Sequence, residues 1–144
     1  CDMYFRSDPY QLFKKYATKD CPPIRVVHHK YEGGNGKKMY GCLQTKYSKK
    51  NWSSFIFWNC SHPSHYNLTV DDVNTKSGNW LHNFRWLQEE EIGELEEEWN
   101  WLDGHSNKDI IPKNVHFTTG GPWFEQWKPK RDIDKQYAEE WNKL

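Results

Sequence analysis

The chain has 144 residues, enough for one domain with a core and too few for two ordinary ones. Its 20 Lys+Arg balance its 20 Asp+Glu, which leaves no electrostatic footprint for nucleic acid or an anionic membrane. No apolar run approaches about 18 residues and no signal-peptide pattern occurs, so no membrane span is expected.

In chain order, Asp8-Pro9 predicts a helix start, with Asp8 as cap, Pro9 in the first turn, and Leu12, Phe13 and Tyr16 on one face. "IRVVHH" (24–29) is β-branched, follows Pro22-Pro23 and reads as a strand. "EGGNGKK" (32–38) is a glycine-rich loop that lacks the P-loop pattern. "SSFIFWN" (53–59) is the strongest strand. Its continuous apolar middle predicts an interior position, with Phe55 and Phe57 on one face, Ile56 and Trp58 on the other, and both faces covered. After a polar loop, Thr69-Val70-Asp71-Asp72 forms a capping box for a helix. Residues 84–102 alternate acidic clusters with apolar anchors and predict a short helix broken near Gly93. "NVHFT" (114–118) is a third strand, and Asp132 to Leu144 reads as a polar amphipathic helix carrying Tyr137 and Trp141. Strands separated by helical segments give an α/β layer with part of the sheet buried.

Aromatic residues are 17% of the chain and all hydrophobics 35%, so rings supply about half of the apolar inventory. Such rings fill a core, or they stack on a flat ligand such as a sugar or a base. Cys1, Cys21, Cys42 and Cys60 form no CxxC pair, which argues against a zinc ribbon. "CSHPSH" is a short cluster (Cys60, His62, His65) with metal-binding side chains, and four cysteines would also permit a small secreted protein stapled by disulfides. The sequons at Asn51, Asn59 and Asn67 are read as coincidence, since two of them flank or end an apolar strand.

Two acceptor groups at opposite ends of the chain suit a cation. Asp2 precedes a capped helix and offers hard oxygen; alone it reads as a solvated acid. His116 lies between Val115 and Phe117, where strand alternation turns its ring to the opposite face. A neutral imidazole suits a borderline metal, and otherwise serves as a satisfied polar residue. Gly120-Gly121 allows close backbone approach to a ligand, or simply makes the turn that Pro122 requires.

Five blocks in order give these residues a context: "CDM" (1–3), "QTKYSKKNWSSFIFWNC" (44–60), "VNTKSGNWLHNFRWL" (73–87), "IGELEEEWNWL" (92–102) and "VHFTTGGPWF" (115–124). Together they resemble a family of bacterial and phage glycosyltransferases with a GT-A fold, related to glycosyltransferase family 8. The resemblance implies that residues 1–127 are the C-terminal part of a GT-A nucleotide-diphospho-sugar transferase domain, an α/β fold with a mixed sheet and flanking helices, and that 128–144 add a polar helix. It implies transfer of a sugar from a nucleotide-sugar donor to a carbohydrate or glycoconjugate acceptor, in the cytoplasm. Asp2, as second carboxylate of an Asp-x-Asp motif, and His116 would hold Mn2+ (or Mg2+) on the donor diphosphate. Their nearest side-chain atoms are then expected about 4 to 6 Å apart. Gly120 and Gly121 would admit the diphosphate, while Trp123 and Phe124 wall the pocket.

The same resemblance implies an acceptor side. Gln44, Lys46, Asn51, Ser53, Ser54 and Asn59 would line a sugar pocket, or else cap the strand and its loops. Glu89 and Glu90, with Glu91, fall where the family keeps an acidic segment near the transferred sugar, there to bind hydroxyls or stabilise positive charge; a solvated acidic face is the other reading. The pattern also departs from the family. The first aspartate of Asp-x-Asp and the preceding N-terminal half with its nucleotide-binding unit are absent, Gly121 stands where relatives carry lysine, and Glu96 where they carry proline. The contrasting expectation is an aromatic-rich carbohydrate-binding module without catalysis.

Overall fold

The computed structural model describes residues 2–30, 36–37, 43–44 and 47–144. Along the chain run β1 (Met3–Phe5), α1 (Tyr10–Tyr16), β2 (Ile24–Val26), β3 (Gly36–Lys37), β4 (Leu43–Gln44), β5 (Ile56–Trp58), α2 (Val70–Thr75), α3 (Gly78–His82), β6 (Ile92–Glu94), β7 (Trp101–Leu102), β8 (Asn114–His116) and α4 (Asp132–Trp141). This is a mixed α/β chain of short strands and short helices. Among the described residues no helix is long and apolar enough to cross a membrane. The chain divides into two units, one of Cys1–Asp8, Gly36–Gln44 and Glu96–Leu144, the other of Pro9–Asn35 and Thr45–Leu95.

The first unit is built on a three-stranded sheet of order β1-β8-β7. β8 pairs antiparallel with β1, Met3 facing His116, and parallel with β7, Leu102 facing His116. As the central strand it is buried at all three residues. Trp101, Val115 and Phe117 form the apolar core with Tyr137 and Ala138 of α4, and Tyr4, Trp127 and Trp141 close its sides. The polar C-terminal helix thus contributes its apolar stripe to this core, as the pairing of Tyr137 with Trp141 suggests. β3 and β4 form a short antiparallel ladder, so residues 36 and 37 of the expected glycine loop are strand; residues 32–35 and 38 lie outside the described residues.

The second unit has the order β5-β2-β6. Ile24 and Val26 of central β2 are fully buried, packed with Phe84, Trp86, Leu87 and Ile92. "IRVVHH" is strand only to Val26, because His29 N turns back to Val27 O (3.0 Å). α1 begins at Tyr10 with Pro9 as its N-cap and no side-chain cap, one residue later than the Asp8 reading. The Thr69 capping box is present: Asp72 N donates to Thr69 Oγ1 (3.1 Å) and Thr69 N to Asp72 Oδ2 (3.0 Å).

Two expectations are corrected here. "SSFIFWN" is not an interior strand with both faces covered. Trp52–Ser54 is a 3-10 turn that starts from Asn51 at φ 63°, and Ser54 Oγ donates to Asn51 O (2.6 Å), so the strand begins only at Ile56. β5 then lies at the edge of its sheet with Trp58 40% exposed. A continuous apolar run does not distinguish a central strand from an edge whose aromatic rings cover neighbouring surface. Gly93 does not break a helix either. It lies in β6, parallel to β2 and opposite Arg25, between 3-10 turns at Glu89–Glu91 and Glu97–Asn100. A Cβ at Gly93 would come within 2.7 Å of Pro22 Cγ and 2.9 Å of Arg25 Cγ, so the glycine serves close strand approach.

Candidate metal centre

Antiparallel pairing carries Asp2 to His116 across 114 positions of sequence. The ladder continues one step past β1 and β8, where Phe117 N donates to Asp2 O (2.9 Å). His116 Nε2 then lies 3.3 Å from Asp2 Oδ2, closer than the 4 to 6 Å expected. His116 is 5% exposed, while about half of the Asp2 side chain meets solvent. The hydrogen bond from His116 holds the Asp2 carboxyl below the usual carboxylate range, and partial burial pushes the other way. On its inner side, His116 Nδ1 lies 3.1 Å from Oδ1 of Asn100, which is fully buried at the end of the 3-10 turn that leads into β7.

An oxygen and a nitrogen donor at this separation fit one divalent ion. Two donors each about 2.0–2.2 Å from a cation lie at most about 4.4 Å apart. Among the described residues no third His, Cys, Asp or Glu joins them. Such a two-donor set leaves the remaining positions to water and to ligand oxygens, as is usual for cations bound to phosphates.

The turn after His116 is fastened from below. Thr118 N bonds back to His116 O (2.8 Å), and Thr119 N donates to Asp103 Oδ1 (3.0 Å). The Thr119 hydroxyl donates to the same carboxylate, and Trp127 Nε1 donates to Thr119 Oγ1 (3.2 Å). Burial pushes the Asp103 carboxyl upward, and the bonds from Thr119 offset part of that. Gly120 and Gly121 both adopt positive φ (141° and 146°), which a side chain would strain. The Trp123 ring occupies the place of a Gly121 side chain: a Cβ there would fall 2.3 Å from Trp123 Cη2. Trp123 is 39% exposed and packs edge-on to Phe117, centroids 5.7 Å apart. Gly121 therefore accommodates the chain's own indole, beside any ligand it also admits.

The residues expected on the acceptor side belong to the second unit, except Gln44, which belongs to the first. Glu89 takes both carboxylate oxygens to Lys49 Nζ (2.7 and 2.8 Å), and Glu90 is exposed in the same 3-10 turn. Asn51 is buried in left-handed conformation. Ser53 Oγ lies 2.7 Å from His82 Nδ1, and the His82 ring stacks on Tyr47 at 5.0 Å. Ser54 bonds its own turn, and Asn59 donates to Cys21 O (2.8 Å), so both do structural work. Lys46 and the side chain of Gln44 lie outside the described residues. In "CSHPSH", His62 Nδ1 accepts from Ser64 N (3.3 Å) and His65 Nε2 contacts Pro23 O (3.1 Å), so local bonds occupy one nitrogen of each ring. Cys21 and Cys60 are free thiols.

Asn100 and Asp103 escaped sequence reasoning. The available signal was a polar residue locked between tryptophans in "WNWLDG", where an apolar strand would not place one without use.

Fold and site define a mixed α/β protein whose central strand presents a buried imidazole to a carboxylate. No family model matches the chain, and no solved structure matches it. It is similar to Protein CDI of Arabidopsis thaliana, 41% identical over 146 residues that cover 98% of this chain and 54% of the relative. The chain therefore spans about half the length of that curated relative.

Proposed function

We propose that this chain is the metal-binding part of a GT-A glycosyltransferase that moves a sugar from a nucleotide-sugar donor to a carbohydrate or glycoconjugate acceptor, in the cytoplasm. The observation that carries this reading is the meeting of Asp2 and His116, 114 positions apart in sequence, with Nε2 and Oδ2 at 3.3 Å beside a positive-φ glycine turn. Mn2+ or Mg2+ bound there would neutralise charge developing on the leaving nucleoside diphosphate. Asp2 supplies the exposed carboxylate and His116 the buried imidazole, so the ion is held at the rim of the sheet. Gly120 and Gly121 would admit the diphosphate close to the backbone, with the partly exposed Trp123 as a wall, while Gly120 N itself donates to Phe117 O (3.3 Å). Base and ribose are left to the part of the domain that precedes this sequence in the family it resembles.

Calorimetry with a panel of nucleoside diphosphates, with and without Mn2+, tests the binding step. Residues 1 to 144 are expected to bind weakly, only with the ion, and to transfer little or no sugar. In a longer parent chain, His116→Ala is expected to lower transfer by about 10²-fold or more, the scale of one lost element of transition-state charge stabilisation. Tight metal-independent binding of oligosaccharide with no response to any nucleotide would instead support a carbohydrate-binding module, which the exposed Trp58 and Trp123 would suit.

A further inference from the structure

We propose that the end of the β1-β8-β7 sheet away from His116 carries a second ligand site, an open cleft for a neutral saccharide. The cleft measures about 520 Å3, within the span of small-molecule sites (about 300–1,000 Å3), and Tyr4, Arg6, Glu98, Ile111, Lys113 and Glu140 line it. All of them belong to the first unit. Lys113 precedes β8 and His116 ends it, so the cleft lies about 10 Å along the strand from the candidate metal centre. This site goes beyond the transfer reading and stands whether or not Asp2 and His116 bind a cation.

Its polar groups are in place before any ligand arrives. Arg6 Nε donates to Glu140 Oε2 (2.8 Å) and Arg6 Nη1 to Pro112 O (3.0 Å), with the guanidinium 4.9 Å from the Tyr137 ring centroid. Lys113 Nζ pairs with Glu98 and lies 5.1 Å from the Trp99 ring centroid. The four charged side chains are between 25% and 33% exposed, so they are held and still reachable. Arg6 N and Ser7 N donate to Lys113 O (2.8 and 3.2 Å), and Lys113 N donates to Glu98 O (2.7 Å), which fixes the spacing of the walls. Such pre-ordering removes part of the entropy cost of binding.

Charge then selects the ligand. Two cations and two carboxylates cancel, and each cation already has its carboxylate. A phosphate or carboxylate ligand would have to displace Glu140 or Glu98. A hydroxyl breaks neither pair, because it accepts from Arg6 or Lys113 while it donates to Glu140 or Glu98. The Arg6 guanidinium has five N–H donors, and the bonds to Glu140 and Pro112 take two of them. Tyr4 and Ile111, the latter 76% exposed, add apolar surface on which the C–H face of a sugar ring packs. A neutral polyhydroxy ring satisfies both demands.

Titration of the 15N-labelled chain with neutral disaccharides (maltose, cellobiose, lactose, mannobiose and chitobiose), followed by amide NMR shifts, tests the site. At least one is expected to move the Arg6, Ser7 and Lys113 amides saturably, with a metal chelator present. Lys113→Met and Glu140→Gln each remove one charged partner and should weaken that binding about tenfold or more. No saturable shift at these amides with any of the disaccharides overturns the proposal, and the wild type alone decides this if a variant fails to fold. So does undiminished binding in both folded variants, or displacement of the disaccharide by inorganic phosphate, which would mark an anion site. Failure of the metal reading shows separately, as no Mn2+-dependent response to nucleoside diphosphate while the saccharide shifts persist.

Discussion

The β1-β8-β7 and β5-β2-β6 sheets are alike in size and in mixing parallel with antiparallel pairing, yet their central strands are occupied differently. β2 buries Ile24 and Val26 and leaves Arg25 partly exposed over the Tyr16 ring, 4.5 Å from its centroid. β8 buries Val115 between two polar residues, Asn114 and His116. Those side chains reach partners distant in sequence: Asn114 Nδ2 donates to Trp99 O (3.0 Å), and His116 meets Asn100 and Asp2. A buried polar group left without a partner costs roughly 1–3 kcal/mol; these bonds offset that cost except at Asn114 Oδ1, which is buried without a partner among the described residues. The first sheet therefore carries a polar arrangement that packing alone does not require, and the second is mainly a packing device. Chemistry is to be sought where burial and polarity coincide.

The largest effect expected comes from breaking either core. Trp101→Ala should cost about 3–5 kcal/mol and Ile24→Ala about 2–5 kcal/mol, read from urea unfolding midpoints. Both residues are fully buried, one in each unit. Equal, small losses would mean that neither sheet is the core of its unit. Trp58→Ala should cost clearly less than Ile24→Ala, since Trp58 is an edge residue with an exposed ring. A loss as large as that of Ile24 would restore β5 to the interior.

Next in size is the cap of α2. Thr69→Ala removes the acceptor for Asp72 N and should cost about 1 kcal/mol in the same assay, with Thr69→Ser close to wild type. No change on Thr69→Ala would show that the capping box adds nothing to the second unit.

The smallest effect is a pH dependence confined to the second unit. His28 stacks on Trp52 at 4.1 Å, and burial lowers its pKa from the ordinary 6.5, with Glu94 opposing. The unfolded chain then binds this proton more readily than the folded one. Stability from the neutral ring is fully present above 6.5 and is lost as pH falls through the lowered folded value. Acidification from about pH 7 to about pH 5 should thus destabilise the wild type more than His28→Phe, which keeps a ring on Trp52 and cannot titrate. Parallel pH profiles for the two proteins would remove His28 from the balance.

How much of this was legible in the sequence follows the range of the interactions. The Thr69 capping box, the strand that starts at Asn114 and the helix from Asp132 are local patterns, and each formed where its residues indicated, although the strand expected to reach Thr118 ends at His116, where Thr118 N turns back to His116 O. The rank of a strand within its sheet is not local. The run around Phe55–Trp58 is more apolar than Ile24–Val26, yet the shorter run takes the centre because β6 and β5 both pair with it. Gly93 read as a helix breaker because glycine carries no sign of the neighbour it makes room for; Pro22 and Arg25 supply the reason only once β2 and β6 are side by side. At the site, Asp2 and His116 stood out by residue type. Asn100 did not, since an asparagine acquires its role from the atom it faces.

The most direct test of the central claim, that Asp2 and His116 form one cation site, is an electron paramagnetic resonance titration of Mn2+ into the chain with a nucleoside diphosphate present. Wild type should deplete the free-ion signal beyond the nucleotide alone. Asp2→Asn and His116→Gln should each abolish the difference while far-ultraviolet circular dichroism stays unchanged. Depletion that survives both substitutions, or none in the wild type, would contradict the site.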